Sequence, residues 1–303
     1  LESESIGSRR LLMHNAHMTS QFDPNSDTAG GSAPIADALS RPLHDLRISV
    51  LDQCNFRCPY CMPEAKYNSD YEFLKKQQRL NYEEIMRVAA AASELGVSKI
   101  RLTGGEPLLD KKIGELIRQL SSLSGVEDLA LTTNGMLLAS TAAKLADAGL
   151  HRVTVSLDSV DADVFRAMSG GRGELQQVLV GIKAAEDAGL GPIKINVVVQ
   201  KGVNDHTVMD LLEHFRGSGT IVRLIEFMDV GNRNGWRMNQ VVASKDLLAK
   251  VQERWELRAV GKNYAGEVAR RYEYVDGSGE IGFISSVTEP FCGDCSRARL
   301  SAD

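Results

Sequence analysis

The chain has 303 residues, enough for one barrel-sized domain or two smaller ones; with 43% apolar and 25% charged residues it has the mix of an ordinary soluble globule. Forty acidic against 35 basic residues give a formal charge of −5, which argues against a generic nucleic-acid or anionic-membrane surface. No apolar run reaches the roughly eighteen residues of a membrane-spanning helix.

Residues 1–41 read as a flexible tail rich in Ser, Asn, Asp, Gly and Pro. The short apolar stretch after Arg9–Arg10 does not make a secretory signal, and Glu2, Glu4 and Asp23 do not suit a transit peptide. The chain opens on Leu1, so its start is expected to be absent or processed. Strand-like runs at 45–51, 98–103, 129–133, 152–157, 193–200 and 220–227 then alternate with helix-like stretches at 82–95, 111–123, 138–148, 174–188 and 206–215. Asn81 and Glu84 have capping-box spacing, and Gly96, Gly149 and Gly189 stand where helices stop. This succession predicts an α/β fold, a parallel sheet nearly closed into a partial (β/α)6 TIM-like barrel over residues 42–240. After about 240, a helix-like stretch at 244–254 and shorter β-like runs at 255–260, 269–275 and 281–285 predict an appended C-terminal module, 241–303.

Side chains alternate between faces along a strand. Arg47 and Ser49, Arg101 and Thr103, Thr132 and Asn134, Thr154, Ser156 and Asp158, and Lys194 and Asn196 fall on one face, opposite mostly Ile, Leu and Val. A filled barrel is lined with branched aliphatics, so a polar face on five strands predicts a barrel that holds a polar ligand. The other reading is a solvated sheet face.

Five cysteines form two clusters, Cys54, Cys58 and Cys61, then Cys292 and Cys295. A disulfide framework would be more dispersed and even in number, so metal ligation in a reducing, cytoplasmic setting is expected. The first three follow the first strand, at the barrel end where active sites lie. Three thiolates leave a four-coordinate structural zinc, or a cubane iron–sulfur cluster, one ligand short. Thr103–Gly104–Gly105–Glu106–Pro107 ends the second strand; its glycines let a ligand approach the backbone closely, and Glu106 can accept from an ammonium group. Alone, this stretch reads as a turn. The six histidines form no ligand-spaced pair, no side chain stands out as a nucleophile or general base, and there is no Walker or Rossmann glycine motif.

CNFRCPYC resembles the CxxxCxxC signature of the radical S-adenosylmethionine superfamily. The resemblance implies a [4Fe–4S] cluster on Cys54, Cys58 and Cys61, with S-adenosylmethionine on its fourth iron, and a partial (β/α)6 barrel. It implies S-adenosylmethionine contacts from Tyr60, Gly104, Gly105, Glu106, Ser156 and Met228. Cys292–Gly293–Asp294–Cys295–Ser296–Arg297–Ala298–Arg299 resembles the C-terminal motif of the GTP 3′,8-cyclase family of molybdenum-cofactor (molybdopterin) biosynthesis. That likeness spans roughly 42–303 and implies a second [4Fe–4S] cluster. It also implies a GTP site made by Arg47, Arg101, Thr132, Lys194, Arg297 and Arg299. Arginine suits this task because its planar donors bind phosphate oxygens in pairs. The family's third C-terminal cysteine and Gly-Gly tail have no counterpart before Asp303, so a C-terminal truncation, a labile second cluster and little turnover are expected. Further expectations are a low-potential electron donor, a downstream molybdopterin-pathway enzyme as partner and a homodimer, with no nucleic-acid or membrane partner. Two rival readings stand: a radical S-adenosylmethionine enzyme with an auxiliary cluster acting on a peptide or other small molecule, and a non-enzymatic zinc-stabilised binding protein.

Overall fold

The structure is a computed structural model that describes residues 35–231, 234–264 and 266–303. Most of the expected tail, residues 1–34, lies outside the described residues. Within residues 35–41, Ala36 bridges Pro42.

Six parallel strands come first in chain order: β1 (Asp45–Ser49), β2 (Lys99–Thr103), β3 (Asp128–Thr133), β4 (Arg152–Ser156), β5 (Lys194–Val199) and β6 (Ile221–Glu226). The helices between them are α1 (Tyr82–Glu94), α2 (Ile113–Ser121), α3 (Leu138–Asp147), α4 (Ala162–Met168), α5 (Leu175–Asp187) and α6 (Val208–Phe215). The predicted elements stand where the periodicity put them, with ends shifted by one or two residues. The capping box is formed: Asn81 Oδ1 accepts from Glu84 N at 3.0 Å and Glu84 Oε2 from Asn81 N at 2.8 Å. The periodicity did not announce α4. It is only seven residues long, too short to establish a period, and its one local signal is Asp161, whose carboxylate caps Asp163 N and Val164 N.

The sheet order is β10-β1-β2-β3-β4-β5-β6-β9-β8-β7. The C-terminal stretch, α7 (Ser244–Gln252), β7 (Leu257–Val260), β8 (Arg270–Tyr274), β9 (Glu280–Ile284) and β10 (Arg297–Leu300), therefore continues the barrel sheet on both sides. β9 pairs parallel with β6, and β10 parallel with β1. These pairings satisfy backbone groups that the edges of β1 and β6 would otherwise expose. Buried Glu226, at the end of β6, ties the stretch down: its carboxylate accepts from Ser244 N, Val287 N and Thr288 N, each at 2.8 Å.

The apolar face of the strands (Ile48, Ile100, Leu102, Leu129, Leu131, Val153, Val155, Ile195 and Val197 are all fully buried) belongs to one core cluster with the inner faces of the helices. Each such side chain contributes roughly 1.5–3 kcal/mol on burial. Because helices cover this face, the polar face must look inward.

Candidate active site

The three-cysteine loop leaves the C-terminal end of β1 and is fastened from two sides. Gly105 N donates to Leu51 O at 2.7 Å and Glu106 N to Gln53 O at 2.8 Å, tying the end of β2 to the start of the loop. The glycines also serve the protein's own packing. What approaches them is the loop backbone: a Cβ on Gly104 would lie 2.4 Å from Leu51 O, and one on Gly105 would lie 1.9 Å from Gln53 O. Gly104 also has φ +149°, a conformation side chains disfavour. From inside the loop, buried Arg57 donates from Nε to Tyr67 O (2.6 Å) and from Nη1 to Cys54 O and Phe56 O (both 2.8 Å). Replacing Arg57 with methionine is expected to leave three carbonyls, those of Cys54, Phe56 and Tyr67, without this donor and to reduce bound iron several-fold, measured as iron and acid-labile sulfide per chain.

The cysteines line a cavity of about 210 Å³ with Tyr60, Gly104, Gly105, Glu106, Thr132, Asn134, Ser156 and Asp158. Glu106 is buried, and three of its lone-pair positions are taken by Leu108 N (3.0 Å), Thr133 Oγ1 (2.7 Å) and Asn134 N (2.7 Å). A carboxylate has about four such positions, which leaves one for an ammonium donor. Burial raises its pKa. Tyr60 donates to Asp158 Oδ2 at 2.7 Å, and burial pushes the Asp158 carboxyl up to about 6. Burial likewise pushes the Cys54 thiol up to about 11 and raises the Cys58 and Cys61 thiols. Met228 stands apart: it is exposed beyond the end of β6 and does not line the cavity.

Below the cavity the strand register sorts the inner face into rows. Nearest the N-terminal end, Arg297, Asp45, Lys99 and Asp128 are neighbours. Lys99 Nζ lies 3.6 Å from Asp45 and 3.7 Å from Asp128, Arg152 Nε donates to Asp128 at 2.7 Å, and Lys99 donates to the Tyr264 hydroxyl at 2.8 Å. The next row runs Arg299–Arg47–Arg101. Above it Thr132, Thr154 and Lys194 are neighbours, followed by Ser156, Asn196 and Arg223. Among the described residues, Arg47, Arg101, Lys194, Arg223, Arg297 and Arg299 form no salt bridge. Arg47 is held below the usual guanidinium range first by burial and then by Arg297 and Arg299, and Arg101 first by burial and then by Arg47 and Arg223. Lys194 is pushed down to about 7 by burial, then by Arg223, Arg152, Lys99 and Arg101. Clustered, unpaired cations in a recess are costly and await an anion.

Cys292 opens and Cys295 caps a one-turn 3₁₀ helix just before β10, at the opposite end of the barrel. Ser296 O accepts from His44 N (2.9 Å) and Asp45 N (3.1 Å), and Arg41 Nη1 donates to Cys292 O at 2.9 Å. At about 3.3 Å of rise per residue along β1, the two cysteine sets stand roughly 20 Å apart, with the cation rows between them.

None of the five cysteines is in a disulfide. Among the described residues no three His, Cys, Asp or Glu side chains converge as on a single metal ion. Cys54, Cys58 and Cys61 line one cavity together, a donor set that fits a cluster held by three protein thiolates. Cys292 and Cys295 supply two thiolates where a second such cluster takes three, so they do not by themselves complete that site.

Residues 48–215 match the Radical SAM superfamily, and residues 220–303 match Molybdenum Cofactor Synthesis C. The chain is 54% identical over 272 residues to the GTP 3′,8-cyclase of Xanthomonas axonopodis pv. citri (strain 306), covering 90% of this chain and 81% of that protein. It is 51% identical over 269 residues to the GTP 3′,8-cyclase of Acidothermus cellulolyticus, covering 89% and 74%. The chain belongs to the GTP 3′,8-cyclase family. Among solved structures, Streptococcus suis SuiB bound to S-adenosylmethionine aligns with a TM-score of 0.57 at 20% identity over 71% of this chain and 47% of that one, a likeness of fold alone.

Against the pattern expected of a GTP 3′,8-cyclase, the structure brings Arg47, Arg101, Thr132 and Lys194 to one face of the sheet, as the alternation predicts, and the pairing of β10 with β1 adds Arg297 and Arg299 to it. It adds Lys99 and Arg223 to that face and Arg57 to the cysteine loop, none of which sequence reasoning singled out. Alternation could have found the first two: Lys99 is two residues before Arg101, and Arg223 lies inside the sixth strand-like run.

Proposed function

We infer that this chain is a radical S-adenosylmethionine GTP 3′,8-cyclase, which converts GTP to a 3′,8-cyclised dihydro-GTP in the first step of molybdenum cofactor biosynthesis. One observation carries the reading: the cysteine cavity and the Arg299–Arg47–Arg101 row lie on the same inward face, so a nucleotide held by its phosphates is presented to the cavity. When bound at Cys54, Cys58 and Cys61, the [4Fe–4S] cluster and S-adenosylmethionine supply a carbon radical that removes hydrogen from the substrate. The chain's own residues bind and orient. Gly104, Gly105, Glu106, Tyr60 and Ser156 wall the S-adenosylmethionine end, and Met228 is assigned there from the family likeness. Arg47, Arg101, Lys194, Arg297 and Arg299 neutralise the triphosphate, and Thr132 stands between the two groups. Residues 42–240 are assigned radical formation, and 241–303 substrate capture beside a second cluster site.

The reaction places the enzyme among the lyases. It requires a low-potential electron donor, and its product is passed to a downstream molybdopterin-pathway enzyme. Clustered cysteines outside any disulfide favour a cytoplasmic setting. Among the described residues no helix is long and apolar enough to cross a membrane. A homodimer is the proposed assembly.

Anaerobic preparation is expected to give iron and sulfide, GTP binding, and 5′-deoxyadenosine released in response to GTP. Stoichiometric zinc without iron would overturn the reading. Cys58→Ala is expected to abolish S-adenosylmethionine cleavage. Arg299→Ala is expected to spare it while weakening GTP binding at least about tenfold. The reverse pattern would mean the two ends are wrongly assigned.

A further inference from the structure

We propose that Thr154 and Asn196 hold the ribose of the substrate and select for a ribonucleotide, an assignment that rests on the cyclase reading above. Thr154 is completely buried, and among the described residues its hydroxyl has no hydrogen-bond partner; the Asn196 Oδ1 atom is buried and equally unpartnered among them. A buried polar group left unpaired costs about 1–3 kcal/mol. Val153 and Val155, the strand neighbours of Thr154, are fully buried on the apolar face. Valine has nearly the shape of threonine, so packing alone gives no reason for a hydroxyl at position 154.

Position supplies the reason. Thr154 pairs in register with Thr132, and Asn196 with Ser156; both of those partners line the cysteine cavity. On their other side, Thr154 pairs with Lys194 and Asn196 with Arg223, which belong to the cation rows. The neutral polar atoms therefore lie where the radical end meets the phosphate end. A nucleotide spanning that junction places its ribose there. Sugar hydroxyls are uncharged donors and acceptors, and a threonine hydroxyl and an amide oxygen match them without adding charge. A site built to bond a hydroxyl also rejects the analogue lacking it, because its own polar groups then stay unpaired.

The test is titration of anaerobically prepared wild type, Thr154→Val, Thr154→Ser and Asn196→Ala with GTP, 2′-deoxy-GTP and 3′-deoxy-GTP, alongside thermal melting. Wild type is expected to prefer GTP to at least one deoxy analogue by about tenfold. Thr154→Val is expected to melt no lower than wild type, since it removes an unpaired buried hydroxyl. It is also expected to bind GTP about tenfold more weakly while binding that deoxy analogue as wild type does. Thr154→Ser keeps the hydroxyl and is expected to restore the preference, and Asn196→Ala to reduce it. If Thr154→Val and Asn196→Ala both bind GTP as tightly as wild type, the ribose assignment fails and the cyclase reading stands. A wild-type protein that binds no GTP overturns the cyclase reading and this assignment with it.

Discussion

Gly105→Ala is expected to abolish measurable S-adenosylmethionine cleavage, a fall of at least about 100-fold, while the protein stays folded. Misplacement of a reacting group by about 1 Å is enough for a loss of that size. The added Cβ would sit 1.9 Å from Gln53 O and 2.8 Å from Asp52 O, both backbone atoms that no rotamer change can move. The ends of β1 and β2 must then separate, and the two bonds that fasten the cysteine loop, Gly105 N to Leu51 O and Glu106 N to Gln53 O, break together. Loss of the second bond also shifts Glu106, whose carboxylate holds Thr133 and Asn134 against the cavity. The control is Gly114→Ala in α2, where a Cβ meets nothing within 4 Å. That change is expected to raise stability by up to about 1 kcal/mol and to leave cleavage untouched. The measurements are 5′-deoxyadenosine yield and far-ultraviolet circular dichroism. A Gly105→Ala protein with full cleavage would mean that the glycine pair does not set the loop.

This result also marks how far the sequence could be read. Alternation along five strand-like runs placed Arg47, Arg101, Thr132 and Lys194 on one face because period-two patterning is local and the buried side of each strand is almost purely aliphatic. The cysteine spacing and the strand end before it located the cavity for the same reason. What stayed hidden depends on contacts distant in sequence. Arg57 is informative only once Tyr67 O, ten residues on, folds back over it. The pairing of β10 with β1 sets Arg299 beside Arg47 across some 250 residues, and no local pattern encodes it. The glycine pair was legible as a place of close approach, but that the protein's own loop packs there too depends on the pairing of the β1 and β2 ends.

Polyphosphate binding is expected to take up a proton and to weaken as pH rises above about 7, by up to tenfold per pH unit. The free protein holds Lys194 down to about 7 because burial and four surrounding cations, Arg223, Arg152, Lys99 and Arg101, oppose its charge. A bound triphosphate reverses that field and returns the ammonium toward its ordinary value near 10.4. Below pH 7 the lysine is charged before and after binding, so affinity does not change on its account. Between 7 and the raised value in the complex, binding must first protonate it, and each unit of pH costs about 1.4 kcal/mol. The last phosphate ionisation, near 6, is complete through this window and does not mimic the effect. Titration calorimetry in buffers of different ionisation enthalpy at pH 8 is expected to show close to one proton taken up per GTP. Lys194→Met is expected to bind more weakly at pH 6.5, with uptake at pH 8 abolished and the pH slope flattened. A wild-type protein whose affinity is constant from pH 7 to 9 would show that Lys194 keeps its charge without the nucleotide. The unpaired Arg47 and Arg101, and not Lys194, would then be the groups the phosphates relieve.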